Sequence, residues 1–298
     1  MHRLIDPPRA VRAFLLLVAG LGAVLPARAD VVIDLAAGVV HNTNLTRAAS
    51  AQDRRADTAL SAAGTFTRHE ALSGYDGITA SLDVRGELYD RFSGLDFAGV
   101  GASASYRRKL GLGVTAPYVL VAASIAYDDY RVDVRDGHRF DGSVELGRRT
   151  SESTDVAAGL SYDRRYARTD IPIVPGISGA IFDLRGYGAF ARIDHAFDAQ
   201  WLLGGRIGVR RGDVESTAQR SRAIFEASDA IADDPAFRDP SLFGYRLPGT
   251  TVSLAGTMSY AIDDRSAVTF TYLDERTRAA QGLDYRSGIA NVSFVHRF

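Results

Sequence analysis

The chain has 298 residues, a formal net charge of -1 and no cysteine. The balanced charge excludes the basic surface that a nucleic-acid partner needs. The absence of cysteine excludes disulfides, thiolate metal sites and a cysteine nucleophile. Its 46% hydrophobic and 24% charged residues would by themselves suit a soluble globular chain, so the arrangement of those residues carries the argument.

Residues 1–29 read as one unit. "MHRLIDPPRAVR" brings Arg3, Arg9 and Arg12, "AFLLLVAGLGAVL" is an apolar run from Ala13 to Leu25, and "ARA" precedes Asp30. A positive start, a short apolar middle and an A-x-A end describe a cleaved secretory signal peptide. The run is too short for a membrane-spanning helix, which takes about 20 residues. The mature chain is expected to begin near Asp30.

From residue 30 to 298, two-residue alternation dominates. "ITASLDVRGEL" sets Ile78, Leu82, Val84 and Leu88 against Thr79, Asp83, Arg85 and Glu87. "WLLGGRIGV" and "TVSLAGTMSYAI" alternate in the same way. About twelve such segments are predicted, near 31–41, 57–68, 77–90, 96–108, 117–130, 139–149, 155–168, 182–196, 200–213, 250–262, 266–277 and 285–298. At roughly 10–15 residues each they exceed soluble strands of about 5–6 and suit tilted strands crossing hydrocarbon, which need about 9–11.

The connections alternate too. Those after even-numbered strands are tight, as in "TSEST", "FDA" and "DDR", whereas those after odd-numbered strands are long, with residues 214–249 the longest. All long loops therefore gather at one end, and an even strand number returns both termini to the other. A sheet in the bilayer has no water to satisfy an open edge, so it must close. Tyr106, Tyr118, Phe197, Trp201, Tyr260 and Phe298 are expected in an aromatic girdle on the apolar face at the short-turn end. Tyr89, Tyr127, Tyr130, Tyr166 and Tyr272 are expected toward the long-loop end.

The signal peptide, the amphipathic strands with aromatic ends and the final "VSFVHRF" together resemble a Gram-negative outer-membrane β-barrel, porin-like or of autotransporter type. The resemblance implies an all-β, transmembrane antiparallel up-and-down barrel of about 12 strands in the bacterial outer membrane. It also implies that Phe294 and Phe298 form the insertion signal read by the barrel-assembly machinery, with outer-membrane lipid and lipopolysaccharide as surroundings.

No nucleotide-binding loop, H-E-x-x-H or G-x-S-x-G elbow occurs, and no cofactor is expected. "YDDYRVDVRDGHRFD" offers Asp128, Asp129, Asp133 and Asp136 as weak ligands for a divalent cation. With His138 it also offers a carboxylate beside an imidazole able to activate water. The plain reading is a solvated hairpin tip.

The polar strand face instead supplies Asp83, Arg85, Glu87, Arg107, Glu145, Asp163, Arg165, Arg192, Asp194, Arg206 and Arg210 as candidate pore-lining residues. Inward Gly99, Gly101, Gly204 and Gly208 leave space, and the long fifth loop is placed to constrict it. The leading expectation is a non-enzymatic narrow channel for passive or loop-gated passage of small hydrophilic solutes or glycans. Two other expectations stand beside it: a non-conducting binding or assembly barrel serving polysaccharide or lipoprotein export, and a rim hydrolase.

Overall fold

The computed structural model describes residues 31–298; the expected signal peptide, residues 1–29, lies outside them. Twelve strands form the wall: β1 (Val31–Asn42), β2 (Asp57–Ala71), β3 (Asp76–Tyr89), β4 (Phe97–Lys109), β5 (Tyr118–Tyr130), β6 (Gly137–Arg149), β7 (Thr154–Ala167), β8 (Leu184–Ala196), β9 (Trp201–Gln219), β11 (Leu242–Ala261), β12 (Ser266–Ala279) and β13 (Asp284–Arg297). A short helix, α1 (Arg222–Ala227), and a short strand, β10 (Ala230–Asp233), sit in the connection between β9 and β11.

Each wall strand pairs antiparallel with the next, β9 pairs directly with β11, and β13 returns to β1. The seam is tied by Arg297 donating to Asp34 at 2.8 and 3.1 Å, and by the Phe298 N–H donating to the Ile33 carbonyl at 2.9 Å. Closure pairs both edges of every wall strand, the condition for a sheet in hydrocarbon.

Alternation sorts the two faces. Val39, Leu60, Leu82, Val100, Val144, Leu160, Ile207 and Leu254 all point outward and are exposed, Leu60 by 64% and Leu160 by 67%. Such a continuous apolar belt would aggregate in water and is stable against lipid. Aromatics bound it: Trp201 stacks on Tyr260 at 4.7 Å and Phe298 packs on His296 at 4.7 Å near the termini. At the opposite end Phe140 meets Tyr166 at 5.7 Å.

Tyr118, expected in the girdle, points inward, as do Tyr89 and Tyr130 toward the other end. Tyr118 is 3% exposed and faces the lumen, where its hydroxyl donates to Asp155 at 2.7 Å. Tyr89 donates to the inward Glu87 at 2.8 Å, and Tyr130 lies at 5.1 Å from the inward Phe97. The cause is local: Val119, Leu120 and Val121 are all apolar, so alternation at the start of β5 does not reveal which face Tyr118 takes.

The second departure is the longest connection. Residues 213–219 and 242–248 continue β9 and β11 beyond the other strands, paired as Leu242↔Gln219 through Pro248↔Asp213. The most deeply buried large side chains of the described residues, Tyr245, Phe182, Ile181, Leu242 and Leu247, all lie in this extension and the loops around it. The dry core of the protein is therefore a cap at the long-loop end. The barrel itself presents its apolar side chains outward.

Candidate conduction path

The candidate lining residues all take the inward face, and most are paired along the wall. Arg85 donates to Asp128 at 2.7 Å, and Arg139 approaches the same carboxylate at 3.4 Å. Arg192 donates to Glu145 at 3.1 and 2.7 Å and to the Tyr118 hydroxyl at 2.8 Å, and also binds Asp194. Arg210 makes a two-pronged bond to Asp163 at 2.7 and 2.6 Å, the planar fork geometry suited to a carboxylate. Arg107 lies 3.9 Å above the Tyr118 ring and Arg206 lies 3.9 Å above Phe190. Arg165 reaches up to the cap, where it donates to the Arg135 carbonyl at 2.5 Å.

The inward glycines do not widen the lumen as expected; they seat these side chains. Gly101 stands opposite Asp83, and a Cβ there would lie 2.7 Å from its Oδ1. Gly99 stands opposite Asp128, with the equivalent distance 2.5 Å. Gly204 holds Asp194 at 3.0 Å in the same way, whereas Gly208 faces the Ser253 hydroxyl. Gly147 makes the slot in which Tyr118 lies. Charged and aromatic groups therefore lie flat on the wall of β3 to β9.

The rest of the circumference is different. Between its rims, the inner face of β11, β12, β13, β1 and β2 carries Thr251, Ser253, Thr257, Ser259, Thr269, Thr271, Asn291, Ser293, Ser61, Thr65 and Thr67, interleaved with Ala36, Ala63 and Ala255 and with the larger Val40, Leu273 and Ile289. The hydroxyls bond sideways to one another, Ser259 to Thr269 at 2.9 Å and Thr251 to Thr277 at 2.8 Å. These side chains are half-buried, as are Arg85, Arg192, Arg210 and Asp163 across the lumen, where Glu145 and Asp128 are buried. A lumen packed shut would bury both walls. One wall is therefore charged and largely paired, and the other is uncharged and mostly hydroxylated, with both half-buried.

At the long-loop end this path meets the cap. Phe237 packs with Phe92, Leu95, Ala236 and Leu242, with Val132 and Leu45 against them, so four separate connections meet over the mouth. Arg135 donates to Asp234 at 3.2 and 2.6 Å, and Thr217 donates to the same carboxylate at 2.7 Å. Arg55 adds a bond to Asp239 at 3.1 Å. Gly94 allows the third and fifth connections to approach closely: a Cβ there would lie 2.6 Å from the Ala236 Cα and 3.0 Å from the Val132 Cγ2. Beneath the cap lies a cavity of ≈ 360 Å³ lined by Arg47, Arg139, Arg165, Arg210, Glu215 and Glu275 among others.

The acidic run of the third long loop is dispersed. Asp128 turns into the lumen, Asp136 is buried and accepts from the Tyr130 N–H at 2.7 Å, and His138 stacks on Tyr127 at 5.0 Å on the outward wall. Asp129 and Asp133 join neither. Among the described residues no group of three or more His, Asp or Glu side chains is placed to hold a metal ion. The His138 imidazole thus lies on the outward face with Asp129, away from the lumen-facing Asp128 and the buried Asp136. Asp155 and Tyr118 belong to the inner network and were not among the candidates; their cross-strand partners could be assigned only once the strand register was known.

No protein-family model matches the chain, and no curated protein does. Solved structures do. The chain is similar to an outer membrane channel from Pseudomonas putida F1, with TM-score 0.55 and 10% identity, over 99% of this chain and 100% of that one. It is also similar to the translocator domain of the autotransporter NalP from Neisseria meningitidis, with TM-score 0.46, 12% identity and coverage of 97% and 95%. A porin in complex with oligogalacturonate, KdgM, aligns at TM-score 0.41 and 10% identity, over 90% and 99%. At such identity the first likeness speaks for the fold alone: a closed barrel of outer-membrane type.

Proposed function

We propose that the protein is a capped outer-membrane channel that passes small hydrophilic solutes of low net charge when its fifth long loop lifts. The observation that carries this reading is the asymmetric lumen. A half-buried wall of hydroxyls offers exchangeable hydrogen bonds to a solute, and the opposing arginines and carboxylates neutralise one another in place. A pore selective for one sign of ion would instead present a ring of one charge. The cap closes the mouth with a packed core, so passage is gated.

Proteoliposome swelling tests the reading. With the protein reconstituted, a neutral monosaccharide should enter slowly, and releasing the cap by Asp234→Ala should accelerate entry severalfold. Neutral sugars should outpace organic anions and cations of the same size. Equal, background-level swelling for both proteins would contradict the proposal.

A further inference from the structure

We infer that the outward wall of β8, β9, β11 and β12, just above the aromatic girdle, binds the phosphorylated headgroup of an outer-leaflet lipid. Arg211, Thr250 and Arg278 lie in one cross-strand row, with Tyr187 beside Arg211 and Tyr162 beside Tyr187. Arg185 lies two residues above Tyr187 on the same face. These side chains line one cleft of ≈ 580 Å³, completed by Pro248 and the glycine row Gly186–Gly212–Gly249.

Three features point to a lipid phosphate. First, the site is cationic and largely unspent. The nearby Arg164 and Arg210 are held by Asp183 and Asp163, whereas Arg278 has only Asp284, at 3.9 Å, and neither Arg185 nor Arg211 has an ion-pair partner among the described residues. Asp213, the one carboxylate in the cleft, already accepts from the Arg185 backbone N–H at 3.0 Å.

Second, the spacing fits. Two strand steps separate Arg211 from Arg278, about 10 Å. Long side chains on such a span can close on one phosphate or hold two, and the guanidinium fork matches phosphate oxygens.

Third, the cleft opens sideways off the barrel. Tyr162 and Tyr187 are 51% and 62% exposed on the outward wall, with Val209 and Val252 exposed in the next row down. An acyl chain can lie on that apolar surface while its headgroup reaches the arginines. A free anion would gain nothing from it. Gly212 is also required here, because a Cβ would collide with the Arg185 carbonyl.

The test uses the purified barrel in non-ionic micelles and native mass spectrometry. Bisphosphorylated lipid A is the probe, with its dephosphorylated form, phosphatidylethanolamine and inorganic phosphate as comparators. Bisphosphorylated lipid A should give a one-to-one adduct that survives detergent removal. The triple variant R185Q/R211Q/R278Q should weaken it at least about tenfold, while R185K/R211K/R278K, which keeps the charge but loses the fork, weakens it less. Heat-dependent gel mobility checks that each variant is folded. Equal retention of the dephosphorylated lipid or of phosphatidylethanolamine by the wild type would overturn the inference. So would undiminished binding by the folded glutamine variant. Displacement of lipid A by millimolar inorganic phosphate would mark a free-anion site and overturn it too.

Discussion

Arg135 and Asp234, 99 residues apart in the chain, meet under the cap through two hydrogen bonds of 3.2 and 2.6 Å. Asp234 is fully buried there, and the Arg135 guanidinium also lies 4.6 Å above the Phe182 ring and 5.4 Å from Phe237. One ion pair therefore joins the third, fourth and fifth long connections. Asp234→Ala leaves the arginine buried without its partner, a loss of about 3–5 kcal/mol for pairs of this kind. The cap should loosen while the barrel stays folded. Limited trypsin digestion of intact proteoliposomes should cleave after Arg220, Arg222 or Arg238 much faster than in the wild type, with the boiled-versus-unboiled gel shift unchanged.

The glycine slots make a sharper demand on the wall. Gly101→Ala places a Cβ against the Asp83 carboxylate and should drive that charge off the wall into the lumen. The crowding should cost about 1–3 kcal/mol and lower solute flux. Adding Asp83→Ala should recover both, because the clash and the displaced charge go together. Thermal melting and swelling rates on the single and double variants check this coupling.

At the seam, Phe298 contributes a backbone bond to Ile33 and a ring packed on His296. Phe298→Ala should reduce the amount of heat-modifiable barrel in the outer membrane severalfold while export across the inner membrane continues. Cell fractionation with a periplasmic-protease assay measures both. Wild-type levels of inserted protein would remove Phe298 from the insertion signal proposed for it with Phe294.

Acid should leave the cap shut. Burial pushes the Asp96 and Asp136 carboxyls above the usual aspartate range, only partly offset by the Tyr89 and Tyr130 backbone N–H groups that they accept from. A carboxyl raised by folding binds its proton more readily in the folded state. Its contribution weakens the fold as pH climbs from the ordinary aspartate value through the raised one. Lowering pH from neutrality to about 5 moves toward that window from above and relieves the buried charges. The open fraction in bilayer recordings should therefore not rise on mild acidification; opening at low pH would show that other groups control the cap.

Much of the barrel was legible in the sequence because lipid imposes a strict rule on it. Each lipid-facing residue must be apolar, so strands such as β3 and β11 declare their faces by alternation, and the charged residues opposite fall inward. Tyr118 escaped that rule because Leu120, inward, is as apolar as Val119 and Val121, outward. The cap escaped it for another reason. Above the membrane "VESTAQ" and "LFGYRLPG" pack on other loops rather than on lipid, so their pattern carries no two-residue period. The slots at Gly99 and Gly101 depend on which residue stands opposite, and register appears only when strands are paired.

Single-channel recording in a planar bilayer tests the central claim most directly. The wild-type barrel should insert and remain mostly closed, with brief openings. The cap-released Asp234→Ala/Phe237→Ala variant should conduct steadily with weak selectivity between cations and anions. A folded, inserted variant that never conducts would contradict the account and show the lumen closed beneath the cap as well.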